Sequence, residues 1–298
     1  MPHVLTLVAP RGALSKRTVA DARDALQGLG ASAGAADWLS PDEAADVPFE
    51  GLAPEQAGAA ARAALGGAAV DVVAQSAGER RKRLLLADMD STIVTTETLD
   101  ELAAFAGVKD HVASITRRAM NGEIDFPQAL AERVALLKGL PVSALERTWE
   151  ATTMMPGAVE LVATMAANGA HCVLVSGGFT FFTERVAARL GFHAHQSNTL
   201  LVVDGALTGE VGRPILDRDA KLAALKRFAA ERGLPLSATL AVGDGANDLD
   251  MVRAAGLGVA FRAKPVVAAA ARVRIEHADL RALLFAQSFR REEVVAGT

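Results

Sequence analysis

The sequence predicts an α/β protein: a Rossmann-like, doubly wound parallel sheet, preceded by a smaller α+β domain of ferredoxin-like order. Two observations predict it. From residue 84 onward, short apolar runs alternate with helical patterns, as in a parallel sheet covered on both faces. Before that point, residues 1–77 follow a βαββαβ order.

The elements can be justified in turn. "HVLTLV" (residues 3–8) is expected to be a strand. "SKRTVADARDALQGLG" carries Val19, Ala22, Leu26 and Leu29 at helical spacing and stops at Gly30. Extended stretches surround Trp38 and residues 47–49. "PEQAGAAARAALGG" is a helix opened by Pro54 and closed by Gly66-Gly67. "AVDVVAQ" is the last strand of this part. The basic run "GERRKR" (78–83) sits between two patterned regions and is expected to be a solvated linker. The second domain, 78–298, then runs "LLLAD", helical material to about residue 152, the strand "HCVLVSGG", and a helix around "FFTERVAARLG". A hairpin "NTLLVVDGALTG" turns at Asp204-Gly205. It is followed by a helix over 217–232, the strand "ATLAVGD", a helix from about Asn247, and the strand "LGVAF".

Composition excludes several classes. The chain has 298 residues and a net charge of -4, which is too acidic for the basic face of a nucleic-acid binder. Residues 161–183 lack Asp, Glu, Lys and Arg, but Asn168, Gly169, His171 and Ser176–Gly178 break the run into helix, turn, strand and loop, so no membrane span is expected. The N-terminus lacks a basic leader, and the single Cys172 cannot close an internal disulfide. Both fit a reducing cytoplasm.

The polar residues converge on one edge of the predicted sheet. Asp88 and Asp90 follow one strand, Ser176-Gly177-Gly178 a second, and Asp244, Asn247 and Asp248 a third. Ligands of such sheets bind at the carboxyl ends of the strands. Residues i and i+2 of a strand share a side, so Asp88 and Asp90 repel unless a cation or a proton intervenes. Carboxylates from two strand ends suit Mg²⁺, which is usually shared with a substrate phosphate. The Ser-Gly-Gly turn offers a hydroxyl and open backbone N–H groups to phosphate oxygens, and Lys221 adds a point charge. Asp88 is then placed for in-line attack on phosphorus, with Asp90 carrying the proton. "GDGAND" is no dinucleotide fingerprint, because Asp248 replaces the third glycine. His193 and His195 are read as surface residues of a helix-to-strand connection.

"DMDST", the "SGG" after an apolar strand, Lys221 and "GDGAND" resemble, in this order, the four motifs of the haloacid dehalogenase-like phosphatases. "DMDSTIVTTETLDELA", "ITRRAMNGEIDFPQALAERVALLKGL" and "LVSGGF" are similar to the phosphoserine phosphatases among them, over residues 84 to about 277. The resemblance implies Asp88 as nucleophile and Mg²⁺ ligand. It implies Asp90 as acid–base, with its main-chain carbonyl on the metal, and Asp244 as a third ligand supported by Asp248. Ser176, Gly177, Lys221 and Asn247 would hold phosphate. Residues of about 98–155 would form a helical cap, in which Glu97 meets the substrate ammonium and Arg133 its carboxylate, with Met120, Phe126 and Gly178 beside them. The implied substrate is O-phosphoserine and the reaction Mg²⁺-dependent hydrolysis, a last step of serine synthesis. Transfer of the phosphoryl group to another alcohol, such as homoserine, and a non-catalytic amino-acid sensor stand as alternatives. Residues 1–77 resemble the small ACT-type domains attached to some of these enzymes. They are expected to serve regulation or assembly, including a homodimer, and a chain beginning near Gly78 is expected to keep most of kcat.

Overall fold

A computed structural model describes residues 1–120 and 123–296. The first part runs β1 (His3–Val8), α1 (Lys16–Gly28), β2 (Ser32–Ala33), β3 (Asp37–Ser40), β4 (Ala44–Glu50), α2 (Pro54–Leu65) and β5 (Asp71–Ser76). Its antiparallel sheet has the order β2-β4-β1-β5, with β3 also paired to β4. Counting β2 and β3 as one position, this is the order of a split βαβ unit. The alternation in β1 sends its side chains to two different cores. Leu5 and Leu7 pack under α1 and α2, while Val8 joins the large core of the second part. Ser15 caps α1 by accepting the Thr18 N–H at 3.0 Å, and the helix buries Val19, Ala22 and Leu26. Leu29, expected on the same face, is 58% exposed, because the helix ends at Gly28 and leaves Leu29 at its C-cap. Small residues let α2 lie close on the sheet: a Cβ at Gly58 would sit 3.4 Å from that of Ala74.

The second part runs β6 (Leu84–Ala87), α3 (Thr98–Phe105), α4 (Lys109–Met120), α5 (Phe126–Ala135), α6 (Ser143–Ala151), α7 (Ala158–Ala167), β7 (His171–Phe179), α8 (Thr180–Leu190) and β8 (Ala194–Asn198). It continues with β9 (Leu200–Val203), β10 (Ala206–Val211), α9 (Arg218–Glu231), β11 (Thr239–Gly243), α10 (Leu249–Ala254), β12 (Leu257–Phe261), α11 (Pro265–Ala270), β13 (Val273–Ile275) and α12 (Ala282–Ala286). Six parallel strands form one sheet in the order β13-β12-β11-β6-β7-β8. Leu85 and Ala87 face the core under α7 and α12, and Leu84 and Leu86 face the core under α9 and α10. Both faces are therefore covered, which is why β6 reads as an unbroken apolar run. The segment 161–183 divides into α7, a turn, β7 and, in place of the expected loop, the first residues of α8, and among the described residues no helix is long and apolar enough to cross a membrane.

Helices α3–α6 form an insertion between β6 and α7. Its two ends meet in an antiparallel neck: Val94 bridges Met154, and the Thr95 N–H donates to the Thr153 carbonyl at 3.0 Å. The hairpin β9–β10 turns at Asp204 and Gly205, with φ of 50° and 77°, and lies against the insertion through the Gly139 N–H to Leu207 carbonyl bond of 2.8 Å.

The expectation of a solvated linker holds for Glu79, Arg81 and Arg83, which are exposed, and needs correction at Arg80. Arg80 is 9% exposed: its guanidinium pairs with Asp46, donates to Thr6 Oγ1 at 2.9 Å and reaches the carbonyls of Phe285 and Ala286 at 3.0 and 3.1 Å. Arg281 pairs with Glu43 in the same seam, and the Asp71 carboxylate accepts the N–H groups of Glu276, His277 and Ala278. Val8, Leu39, Ala44 and Val73 share a core with α12. One arginine of a basic run can thus be buried when the neighbouring sheet supplies a carboxylate.

Candidate active site

The site begins where β6 ends. The Asp88 N–H donates to the Val242 carbonyl at 3.0 Å, extending the parallel ladder by one residue and delivering the side chain to the carboxyl edge of the sheet. There, Lys221 from α9 donates to Asp88 Oδ1 at 2.6 Å and to Asp248 Oδ1 at 2.5 Å. All three side chains are buried. The second oxygen of Asp248 accepts the Gly245 N–H at 2.9 Å. Glycine is required at 243, since a Cβ there would lie 2.4 Å from Asp248 Cγ. Asn247 is half-buried, and its side-chain oxygen folds back over Gly245, 2.3 Å from where a Cβ would be.

The electrostatics of this group are unbalanced. Carboxylate oxygens of Asp88, Asp244 and Asp248 lie within 4.8 Å of one another. Burial, then the charge of Asp248, holds the Asp88 carboxyl well above the usual carboxylate range, against the pull of Lys221. Burial and Asp248 also push Asp244 up to about 6. Burial alone would lower the Lys221 ammonium, but Asp248 and Asp88 outweigh it and raise it. Three acids thus face one buried lysine, with Lys264 farther off at 4.0 Å from Asp244. An all-oxygen donor set with surplus negative charge fits a hard divalent cation such as Mg²⁺.

Asp90 stands beside this cluster. β6 ends at Ala87, Met89 is fully buried, and the Lys221 charge that pairs with Asp88 also acts on Asp90. Its carboxylate accepts the N–H and the hydroxyl of Thr98, each at 3.3 Å. Burial, then the charge of Glu97, pushes its pKa up to about 7. A Cβ on Gly178 would lie 2.9 Å from Asp90 Oδ2 and 3.1 Å from Ser176 Oγ, so only a glycine lets the Asp90 carboxyl approach the Ser-Gly-Gly segment. Ser176 Oγ accepts the Gly178 N–H at 2.9 Å.

The Ser-Gly-Gly segment, expected as a turn, is the irregular end of β7, out of register with β8 between Val175 and Phe179, and the helical insertion covers it. The Phe126 ring comes within 3.2 Å of a Cβ built on Gly177. Arg133, half-buried, donates from Nε to the Ala129 carbonyl at 3.1 Å. Burial lowers the pKa of its guanidinium, while the charges of Asp100 and Glu97 act on it in the opposite sense. Glu97 is exposed, accepts the Ser91 hydroxyl at 2.8 Å, and adds to the negative field on Asp90 and Asp244. The Met120 side chain lies outside the described residues. His195 belongs to β8 instead of a connection, where its Nδ1 contacts Thr183 Oγ1 at 3.1 Å.

Two residues of this region are not singled out by sequence reasoning. Thr98 fixes Asp90, and its signal is a hydroxyl residue at a helix start. Asn198 bonds the carbonyl of Gly177, and no pattern in "HAHQSN" announces it.

Comparison with known proteins agrees with this geometry. Residues 85–253 match the family model described as haloacid dehalogenase-like hydrolase. A phosphoserine phosphatase of Streptomyces coelicolor is 46% identical over 82% of this chain, which spans only 59% of that relative's length. One from Streptococcus thermophilus is 50% identical over 67% of this chain and 93% of its own. The unliganded crystal structure of a probable phosphoserine phosphatase from Vibrio cholerae superposes with a TM-score of 0.79 at 31% identity, covering 98% of this chain and 88% of that one. The matched span runs from β6 to α10 and holds the whole aspartate–lysine cluster, and the chain belongs to the haloacid dehalogenase-like hydrolase family, in its phosphoserine phosphatase group.

Proposed function

We propose that the chain hydrolyses O-phospho-L-serine to L-serine and phosphate through a phosphoaspartyl intermediate on Asp88. The observation that carries this reading is a buried Asp88–Lys221–Asp248 group whose lysine charge also reaches a second carboxyl, Asp90, lodged against the Ser-Gly-Gly segment. An Asp88 oxygen attacks phosphorus as the bond from phosphorus to the serine oxygen breaks. Asp90 gives its proton to that oxygen. Asp90 then takes a proton from water, whose oxygen attacks phosphorus and breaks its bond to Asp88, releasing phosphate. Ser176, Gly177, Gly178, Lys221 and Asn247 hold the phosphate oxygens throughout. Asp88, Asp244 and the main-chain carbonyl of Asp90 would hold Mg²⁺, with Asp248 steadying the set. When bound, that ion supplies the positive charge that lets carboxylate and phosphate approach. Glu97 pairs with the substrate ammonium and Arg133 with its carboxylate, beside Met120 and Phe126. The sheet of residues 1–77 carries none of these groups. We assign it an ACT-like regulatory or assembly role, including pairing with its copy in a homodimer. A cytoplasmic setting suits the single, buried Cys172.

Phosphate release from a panel of phosphomonoesters, with Mg²⁺ and with or without an added alcohol, tests the reading. Release that gives way to a new phosphate ester when alcohol is added would make the chain a transferase. Arg133→Ala is expected to raise KM roughly 10- to 100-fold, as loss of a charge-assisted bidentate contact does, with kcat little changed. Phosphoethanolamine, which lacks the carboxylate, should be turned over poorly by the native chain; equal turnover of both substrates would refute the role of Arg133. Asp90→Asn should slow phosphoserine hydrolysis by about 10²–10⁴, the usual worth of a general acid, but p-nitrophenyl phosphate far less. Equal losses on the two would remove Asp90 from the proton's path.

A further inference from the structure

We infer that Asn198 is a positioning residue that couples the Ser-Gly-Gly turn to the lysine-bearing helix. The inference rests on the phosphatase reading for its functional consequence, while the coupling itself rests on geometry alone. Asn198 closes the edge strand β8 and is 1% exposed. Its amide spends three hydrogen bonds on two distant segments. Nδ2 donates to the Gly177 carbonyl at 2.9 Å and to the Leu216 carbonyl at 3.3 Å, and Oδ1 accepts the Leu216 N–H at 2.7 Å. Gly177 lies in the turn that touches Phe126, between Ser176 and Gly178. Leu216 immediately precedes Asp217, the N-cap of α9, whose carboxylate accepts the Ala220 N–H at 3.1 Å one residue before Lys221. One planar amide therefore sets the distance between the backbone that would cradle phosphate and the helix turn that would bring its ammonium.

The surroundings hold Asn198 itself in place. Its backbone carbonyl accepts the Thr180 hydroxyl at 3.0 Å, and Thr180 also meets Ser197 Oγ at 3.3 Å and Thr199 Oγ1 at 3.1 Å. Its backbone registers opposite Phe179, past an irregularity in the β7–β8 ladder. That irregularity leaves Gly177 without a ladder partner on β8 among the paired residues, and the Asn198 side chain fills the gap. Asparagine is suited to the task because it alone offers both donors and an acceptor on so short a stem. Aspartate of the same shape would set an oxygen against the two carbonyls.

The test uses the full chain and the variants Asn198→Asp and Asn198→Ser, the second removing the same donors without adding charge. Val19→Ala, in the N-terminal core, serves as a control of comparable thermal destabilisation. Amide hydrogen exchange is followed by mass spectrometry, and phosphoserine hydrolysis is assayed with Mg²⁺. Exchange is expected to rise together at residues 176–180 and 214–221 in either Asn198 variant, and at neither segment in Val19→Ala. kcat/KM is expected to fall by about 10- to 100-fold in either variant, as loss of a positioning contact does. Inorganic phosphate is expected to inhibit the variants more weakly in the same proportion. Exchange that rises at one segment alone, or kcat/KM within about threefold of the native chain, would overturn the inference. A native chain without phosphatase activity would refute the proposed function and leave the exchange result to decide the coupling.

Discussion

Asp88→Asn is expected to abolish turnover while the chain stays folded. The two side chains are nearly isosteric, and the Asp88 backbone keeps its bond to Val242. Replacing the carboxylate removes the only group proposed to form the covalent ester, and losses of about 10⁴-fold or more accompany removal of such nucleophiles. The substitution also takes one charge from a crowded set. Burial and Asp248 already oppose ionisation of Asp88, so a neutral amide relieves repulsion even as Lys221 loses one of its two partners. Circular dichroism and the melting temperature should therefore change little. Rapid-quench labelling with ³²P-phosphoserine should place phosphate on Asp88 in the native chain and nowhere in the variant. Phosphate found on any other residue would refute the assignment.

Arg80→Ala is expected to be the most damaging single change outside the active site. It leaves the Asp46 carboxylate, 6% exposed, with only the Thr6 hydroxyl, and removes one donor each from the carbonyls of Phe285 and Ala286, which keep the Ser288 N–H and the Gln75 amide. Breaking a buried ion pair from one side typically costs about 3–5 kcal/mol, because the remaining charge stays buried. Urea denaturation checks the figure. A loss below about 1 kcal/mol would mean that the pair behaves as a solvated one. Replacing both partners, Arg80→Met with Asp46→Leu, should recover much of the loss. The same seam bears on a chain beginning near Gly78. It keeps every proposed catalytic residue and most of kcat where it is folded. However, it uncovers the face of α12 that Val8, Leu39, Ala44 and Val73 cover, and it must melt at a lower temperature.

The inner strands were legible because burial on both faces writes itself as an uninterrupted apolar run; Leu84–Ala87 and "ATLAVG" are of this kind. The two edges of the sheet, β8 and β13, were not read as strands. "AHQSN" is half-buried for most of its length and carries no apolar alternation, so only its pairing to β7 makes it a strand. The short β2 fails in the same way. The candidate site was legible where chemistry demands a residue type next to a strand end, as with Asp88, Asp90, Asp244 and the Ser-Gly-Gly turn. It was illegible where a polar side chain acts on backbone groups far away in sequence. Asn198 and Arg80 are such cases, since a hydrogen bond to a carbonyl leaves no pattern at the carbonyl's own position. Likewise, nothing in "GERRKR" distinguishes the buried arginine from its solvated neighbours.

The neck at Val94 and Met154 makes the insertion a separable module. Chain entry and exit lie side by side, joined by the Thr95–Thr153 backbone bond and by the Met155 N–H to Ile93 carbonyl bond of 2.8 Å. A loop closed by such a neck leaves the backbone of the strands that carry Asp88 and Ser176 continuous, and meets them through Thr98 at Asp90 and Phe126 at Gly177. The aspartates and the lysine come from the sheet side, whereas Phe126 and Arg133 come from the insertion. On the proposed function, inheritance can therefore vary what is recognised and leave what is done to the phosphate untouched. In this architecture a new specificity is reached by editing one contiguous stretch of gene, between codons 96 and 152, under a reaction centre encoded entirely outside it except for Thr98 and Glu97.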